Sequence, residues 1–161
     1  LKTHFVNHAI DSGSVTNDLV AWIDFGYCRD MSMLGGHTEW NYDFSKDKIH
    51  FWQHKEFDTK RTILDVIANN DVHILGAKIV AGKNMWPKLR ELICGAFKNL
   101  TDANLIDDDQ TMMLLATLYQ PEIFQLLIRD FYKNLDFHIT KWPRLRAART
   151  KEILDQSSSN S

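Results

Sequence analysis

The chain has 161 residues, 44% hydrophobic and 25% charged, values of an ordinary globular domain that exclude wholesale disorder, collagen and a coiled-coil rod. A chain of this length buries roughly two-thirds of its unfolded surface and needs no staples to fold. Its net charge of −2 gives no broad drive toward nucleic acid or an anionic membrane, and no apolar run approaches the ~20 residues of a bilayer-spanning helix.

Phe5, Val6, Ala9 and Ile10 recur at helical spacing, which predicts a helix over 2–10 that ends at Asp11-Ser12-Gly13-Ser14. The continuous apolar run Leu19–Ile23 predicts a strand buried on both faces, as in a parallel or mixed α/β sheet, stopping at Asp24-Phe25-Gly26. Residues 30–46, with Gly35-Gly36 and several aromatics, read as a working loop, because connections of that length usually are. KIHFWQH (48–54) has strand composition. Thr59–Ala68 fits a helix with Ile63, Leu64 and Ile67 on one face and Asn69-Asn70 closing it.

HILGAKIVAG (73–82) reads as a strand broken at Gly76 and ended by Gly82. MWPKLRELICGAFKNL fits a helix with Pro87 in its first turn, where a missing N–H costs nothing. Its apolar stripe would be Leu89, Ile93, Ala96, Phe97 and Leu100. DDDQTMMLLATLY predicts another helix, and past Pro121 the helical pattern is read to continue through EIFQLLIRDFYKNL. DFHITKW suits a last short strand, PRLRAARTKEIL a basic helix, and residues 156–161 a disordered tail. Strands alternating with helices, without an internal repeat, predict one α/β layered domain over 1–155.

Cys28 and Cys94 are too few for a disulfide scaffold or a structural zinc site, and they read as reduced thiols of a cytoplasmic protein. The opening LKTHFVNHAI lacks the basic-then-apolar pattern of a secretory signal, and the chain reads as one entered partway through.

The first chemical candidate is WIDFGYCRD (22–30). A carboxylate where a buried strand ends stands at the carboxyl edge of the sheet, where open α/β sheets bind ligands. There Asp24, completed by Arg29 or Asp30 and approached closely over Gly26, suits a divalent cation carrying a diphosphate, because hard cations prefer oxygen. The plainer reading makes Asp24 a turn cap. The protein-kinase reading of DFG fails, since the glycine-rich loop, the lysine strand and the HRD loop are absent.

The second is Asp107-Asp108-Asp109-Gln110 at a helix start. One aspartate there serves as a cap and profits from the macrodipole, but three in a row repel one another. The surplus acids suit hydroxyl recognition, a general base or a metal contact. The third is the turn Ala81–Trp86, where Gly82 admits a ligand to the backbone and Lys83 or Asn84 could meet phosphate or sugar hydroxyls. The phosphate-loop pattern is absent, and an ordinary turn is the favoured reading.

Among seven histidines there is no HExxH and no His/Cys cluster. His138 is a candidate late metal ligand, although a lone histidine is more often structural. No nucleophile elbow and no dinucleotide fingerprint appear. The basic stretch Lys141, Arg144, Arg146, Arg149 and Lys151 could touch phosphate or an acidic lipid surface, or simply face solvent. Trp40, Tyr42 and Trp52 could stack on sugar rings, with core packing the default.

In their order, WIDFGYCRD, ILGAKIVAGKNMW and DDDQTMMLLATLYQPEIFQL resemble the bacterial HtrL/YibB (WlaTC-like) family over roughly residues 5–130. That family is regarded as glycosyltransferase-like, of GT-A fold, linked to lipopolysaccharide or related surface glycans. The layout is similar to that of the glycogenin and bacterial galactosyltransferase group, in which a DxD motif ends a strand and holds the metal–nucleotide diphosphate, and a later DQ opens a helix beside the acceptor. By resemblance, Asp24 takes an acidic position of the metal motif, and Asp109 with Gln110 takes the DQ, Asp108 matching less well. Two departures stand out: the strand ends in DFG rather than DxD, and the nucleotide-binding half that normally precedes this motif is missing or shortened.

The resemblance thus implies a GT-A-like mixed sheet flanked by helices with a helical C-terminal part. It implies a nucleotide-sugar donor, a glycan acceptor and a divalent cation, manganese or magnesium. By resemblance Asp24 would hold the metal and Asp109 and Gln110 the reacting sugar; from the residues themselves, His138 is the further metal candidate and Gly82 and Lys83 the donor-binding ones. No nucleic acid and no transmembrane segment are expected, with peripheral membrane contact left to the basic C-terminal helix. The alternatives are a non-catalytic carbohydrate- or protein-binding module on a truncated transferase scaffold and, more faintly, a metal phosphohydrolase built on Asp24 and the aspartate triplet. Whether Asp24 and Asp109 face one cleft separates these readings from plain helix and turn caps.

Overall fold

A computed structural model describes residues 1–25 and 43–128. In chain order the elements are α1 (Lys2–Asp11), β1 (Leu19–Ile23), β2 (Ile49–Gln53), α2 (Ile63–Ala68), β3 (Ile74–Gly82), α3 (Trp86–Asp102), α4 (Asp109–Tyr119) and β4 (Phe124–Ile128). Single 3₁₀ turns precede α3 and β4. The strands form one mixed sheet in the order β1-β3-β2-β4, flanked by helices. β3 pairs antiparallel with β1 and with β2, while β2 pairs parallel with β4.

The central strands explain their sequences. Every residue of β2 is buried, His50 and Gln53 included, and β3 is buried almost throughout, which is why β3 reads as a near-continuous apolar run rather than an alternating one. On one face Ile49, Phe51, Ile79 and Ala81 pack under Val6 of α1, Trp86 and Leu89 of α3 and Met113 of α4. On the other, Trp52, Leu75, Val80 and Leu127 gather with Phe44. A third cluster, Ala96, Leu100 and Leu115, joins α3 to α4. At about 25 cal/mol per Å² of apolar surface, these clusters supply the main favourable contribution to folding.

Several expectations change. Leu19–Ile23 forms the predicted strand, but at the edge of the sheet that the described residues form, with Ala21 and Ile23 exposed rather than buried on both faces. Gly76 does not break its strand. The β2 partner instead jumps from Ile79 at Phe51 to Leu75 at Trp52, so that 76–78 bulge from that ladder while β1 goes on pairing with Lys78. The helical reading past Pro121 is wrong for Phe124–Ile128, which runs as a strand beside β2; a short apolar run has no period of its own, and here pairing with a buried strand decides it. Leu64 and Phe97, assigned to apolar stripes, are exposed, whereas Trp86 is fully buried.

Local signals hold where chemistry is local. Thr62 and Asp65 form a reciprocal capping box that starts α2 at Ile63 rather than at the expected Thr59. Asn70 (φ 48) and Asn104 (φ 57) take the left-handed position that ends α2 and α3, and the N–H groups of Asp71 and Leu105 reach back to the carbonyls of Val66 and Leu100.

Candidate functional site

The β1 strand ends at Ile23, and the N–H of the next residue, Asp24, donates to the Ala77 carbonyl of β3 at 2.9 Å. Its carboxylate is held on both oxygens: Trp22 Nε1 donates to Oδ1 at 2.7 Å and Lys2 Nζ to Oδ2 at 3.0 Å. Trp22 lies two residues upstream, on the same strand face, and Phe5 of α1 stacks against it with centroids 6.3 Å apart.

The aspartate triplet divides its work. Asp108 caps α4, its Oδ1 accepting from the N–H groups of Gln110 at 2.9 Å and Thr111 at 3.3 Å. Asp107 accepts from the Thr111 hydroxyl at 2.7 Å. Asp109, in the first helical turn, is left to face the sheet, where Lys2 Nζ stands 2.8 Å from its Oδ2. Asp24 and Asp109 therefore share one cation and face one site.

Gly76 is the floor of that site. Its bulged carbonyl accepts a third hydrogen bond from Lys2 Nζ at 2.7 Å. A Cβ placed on Gly76 would stand 3.2 Å from Asp109 Oδ1 and 3.3 Å from Gln110 Cγ, so the missing side chain is what lets the start of α4 close on β3. Burial opposes charge on Lys2, but the two carboxylates outweigh it and raise its pKa. A cleft of about 260 Å³ opens beside the cluster between Lys2, Ile93, Asp109 and Met113. A cavity of about 400 Å³ lies elsewhere, between the ends of α4, β2 and β4, and neither carboxylate lines it.

Gly82 and Lys83 are placed apart from this cluster. Leu19, at the opposite end of β1 from Asp24, pairs with Gly82. A Cβ on Gly82 would fall 1.8 Å from the Lys46 carbonyl oxygen, so the close approach this glycine permits is to its own chain. Lys83 Nζ donates to the Val15 carbonyl at 3.0 Å. Trp52 is a core residue, 2% exposed, with the Lys78 ammonium 4.2 Å from its ring centroid. Cys94 is exposed and free on α3. Gly26, Cys28, Arg29, Asp30, Trp40, Tyr42, His138, the basic stretch 141–151 and the tail 156–161 lie outside the described residues.

The divalent cation implied by the resemblance does not fit the donors at Asp24. Both oxygens of that carboxylate have protein N–H partners, and a lysine ammonium stands between it and Asp109. Among the described residues no three His, Cys, Asp or Glu side chains converge. Lys2 has no reading in the sequence, and Phe5, Trp22 and Gly76 have readings there other than a place at this site. Trp22 alone left a local signal, its spacing of two from Asp24; Lys2 reaches both acids only through tertiary packing.

The fold and site together define an α/β domain in which a strand end and a helix start gather two carboxylates around a partly buried lysine. The chain belongs to the HtrL/YibB family, described as a bacterial protein family of unknown function, which it matches over residues 1–138. It is 33% identical to Protein HtrL of Escherichia coli (strain K12) over 129 residues, covering 78% of this chain and 45% of that protein. The chain thus spans less than half the length of this relative. No solved structure matches it. Among the described residues, no helix is long and apolar enough to cross a membrane.

Proposed function

We propose that this chain is part of a glycosyltransferase-like protein that moves a sugar from a nucleotide-sugar donor to a surface-glycan acceptor, the Asp24–Lys2–Asp109 cluster receiving the sugar. The observation that carries the reading is the meeting of Asp24 and Asp109, from a sheet edge and a helix start, on one ammonium. Three charged groups with a net charge of −1 favour hydroxyl donors over an uncompensated diphosphate. A sugar hydroxyl would donate to Asp109, with Gln110 beside it offering both donor and acceptor. The stacked rings of Phe5 and Trp22 give an apolar wall next to Asp24, the kind of surface against which a sugar's C–H face packs. In this reading Asp109 takes the proton from an attacking hydroxyl. The donor's diphosphate then lies outside this cluster, and the resemblance supplies its chemical class.

That last point favours a second reading. A lysine standing where the transferase pattern has a metal suits a carbohydrate-binding module that no longer turns over. Nucleotide-sugar consumption by the whole protein, compared with Asp109→Asn, decides between them. Transfer lost in a folded Asp109→Asn supports the first reading. Glycan binding without nucleotide binding or turnover supports the second, and neither activity overturns both.

A further inference from the structure

The ammonium of Lys2 has three N–H donors, and three oxygens surround it: Asp24 Oδ2 at 3.0 Å, Asp109 Oδ2 at 2.8 Å and the Gly76 carbonyl at 2.7 Å. Each donor thus has one acceptor, and the tripod is complete. Two carboxylates and a backbone carbonyl are also the oxygen set that a hard dication seeks, at about 2.0–2.6 Å. A dication entering here would meet a positive charge already seated on the same oxygens. Two positive charges at such separations repel each other even in a moderately polar surrounding. A newcomer at the other oxygen of Asp24 would have to share it with the Trp22 N–H. Lys2 is held in place from behind as well, because the next turn of α1 is pinned to α3 through Asn7 Nδ2, which donates to the Trp86 carbonyl at 3.1 Å.

We infer that Lys2 is the built-in counter-cation of the Asp24–Asp109 pair, standing where the transferase pattern has a divalent ion, so that this pair takes up neither manganese nor magnesium while Lys2 is present. The inference does not depend on sugar transfer: a binding module and a transferase are equally bound by it. Removing the ammonium without shortening the chain, as in Lys2→Met, turns the tripod into an open set of three oxygens. The position is then a gained metal site, and Lys2 a positioning residue that keeps the two acids together.

The test is a manganese(II) titration of the protein, followed by calorimetry and by the electron-spin signal of the free ion. Wild-type protein is expected to take up no ion at this pair, and Lys2→Met to bind one ion at least about tenfold more tightly than wild type. Adding Asp24→Asn to Lys2→Met should abolish the gain. Uptake by wild-type protein that Asp24→Asn removes would overturn the inference, as would a folded Lys2→Met that gains nothing. Should Lys2→Met fail to fold, the ammonium proton signal of Lys2 in wild-type protein is the second readout. It is expected to persist unshifted in excess magnesium, and its displacement by magnesium would overturn the inference in the same way.

Discussion

Asp24 and Asp109 hold the same ammonium, Lys2 Nζ lying 3.0 Å from one carboxylate and 2.8 Å from the other. Two like charges brought this close repel each other, and the lysine offsets that repulsion for both at once. The sheet edge, the α4 start and the α1 start are thereby coupled electrostatically as well as by packing.

Removing the acids one at a time should therefore cost less than removing both. Asp24→Asn or Asp109→Asn leaves Lys2 one carboxylate and relieves the repulsion between the acids. The double variant leaves a largely covered ammonium with the Gly76 carbonyl alone. The acids are themselves 38% and 43% exposed, so solvent screens part of the effect. The double variant is expected to lose about 0.5–1 kcal/mol more than the sum of the singles, measured by denaturant unfolding. Additivity within about 0.3 kcal/mol would show that the lysine does not couple them.

Much of this was legible in the sequence because it is local. Asp24 and Asp109 stand out in the sequence as acids at element ends, and the α4 cap follows from residues within three positions of each other; the α2 cap, equally local, moves that helix start from Thr59 to Ile63. What escaped is non-local. No spacing in the chain tells that Lys2 reaches Asp24, or that three residues of β3 bulge between the partners of Phe51 and Trp52. The edge position of β1 was hidden for a related reason: an apolar pentapeptide looks the same at an edge and in the middle of a sheet, and only pairing distinguishes them. Phe124–Ile128 was misread because its strand character comes from β2 beside it.

Gly82→Ala tests a backbone approach that only a glycine permits. A Cβ there would lie 1.8 Å from the Lys46 carbonyl oxygen and 2.8 Å from its carbonyl carbon. Those are backbone atoms, so no side chain can swing away. The substitution must push the 45–47 turn off the end of β3, and a loss of about 3 kcal/mol or more is expected. Thermal unfolding measures it directly; a melting point within a degree or two of wild type would mean that the turn yields freely.

Gly76→Ala is the milder counterpart, with a different signature. Its Cβ contacts, at 3.2–3.3 Å, are to side-chain atoms of Asp109 and Gln110, which can give by a few tenths of an ångström. Stability should fall by about 1 kcal/mol or less, while ligand binding at the cluster falls much more, because Asp109 is the group displaced. Comparable losses in both would show that Gly76 serves packing alone.

The pH dependence of stability separates into three windows. Burial pushes the His50 and His73 pKa values below the ordinary 6.5. For His50 the Ser45 carbonyl opposes the shift and Lys48 adds to it; for His73 the Lys55 carbonyl, Asp71 and the Glu56 carbonyl oppose it and the Lys55 charge adds to it. A histidine that is harder to protonate when folded leaves the unfolded chain binding more protons, so stability rises with pH through this range. The protein should thus be equally stable at all pH values just above 6.5 and lose stability as pH drops below it. Asp71, held down to about 2 by Lys55 and Arg61, adds its loss only below its ordinary 3.8. Lys2, shifted upward, keeps its contribution until pH exceeds its ordinary 10.5 and loses it as pH passes the raised value. Melting curves from roughly pH 8 to pH 5 check the first window, and imidazole proton shifts assign it. Midpoints for both rings below 6.5 are expected. A ring titrating at or above that value, or a protein more stable at pH 5 than at pH 8, would contradict the burial of a neutral imidazole at these positions.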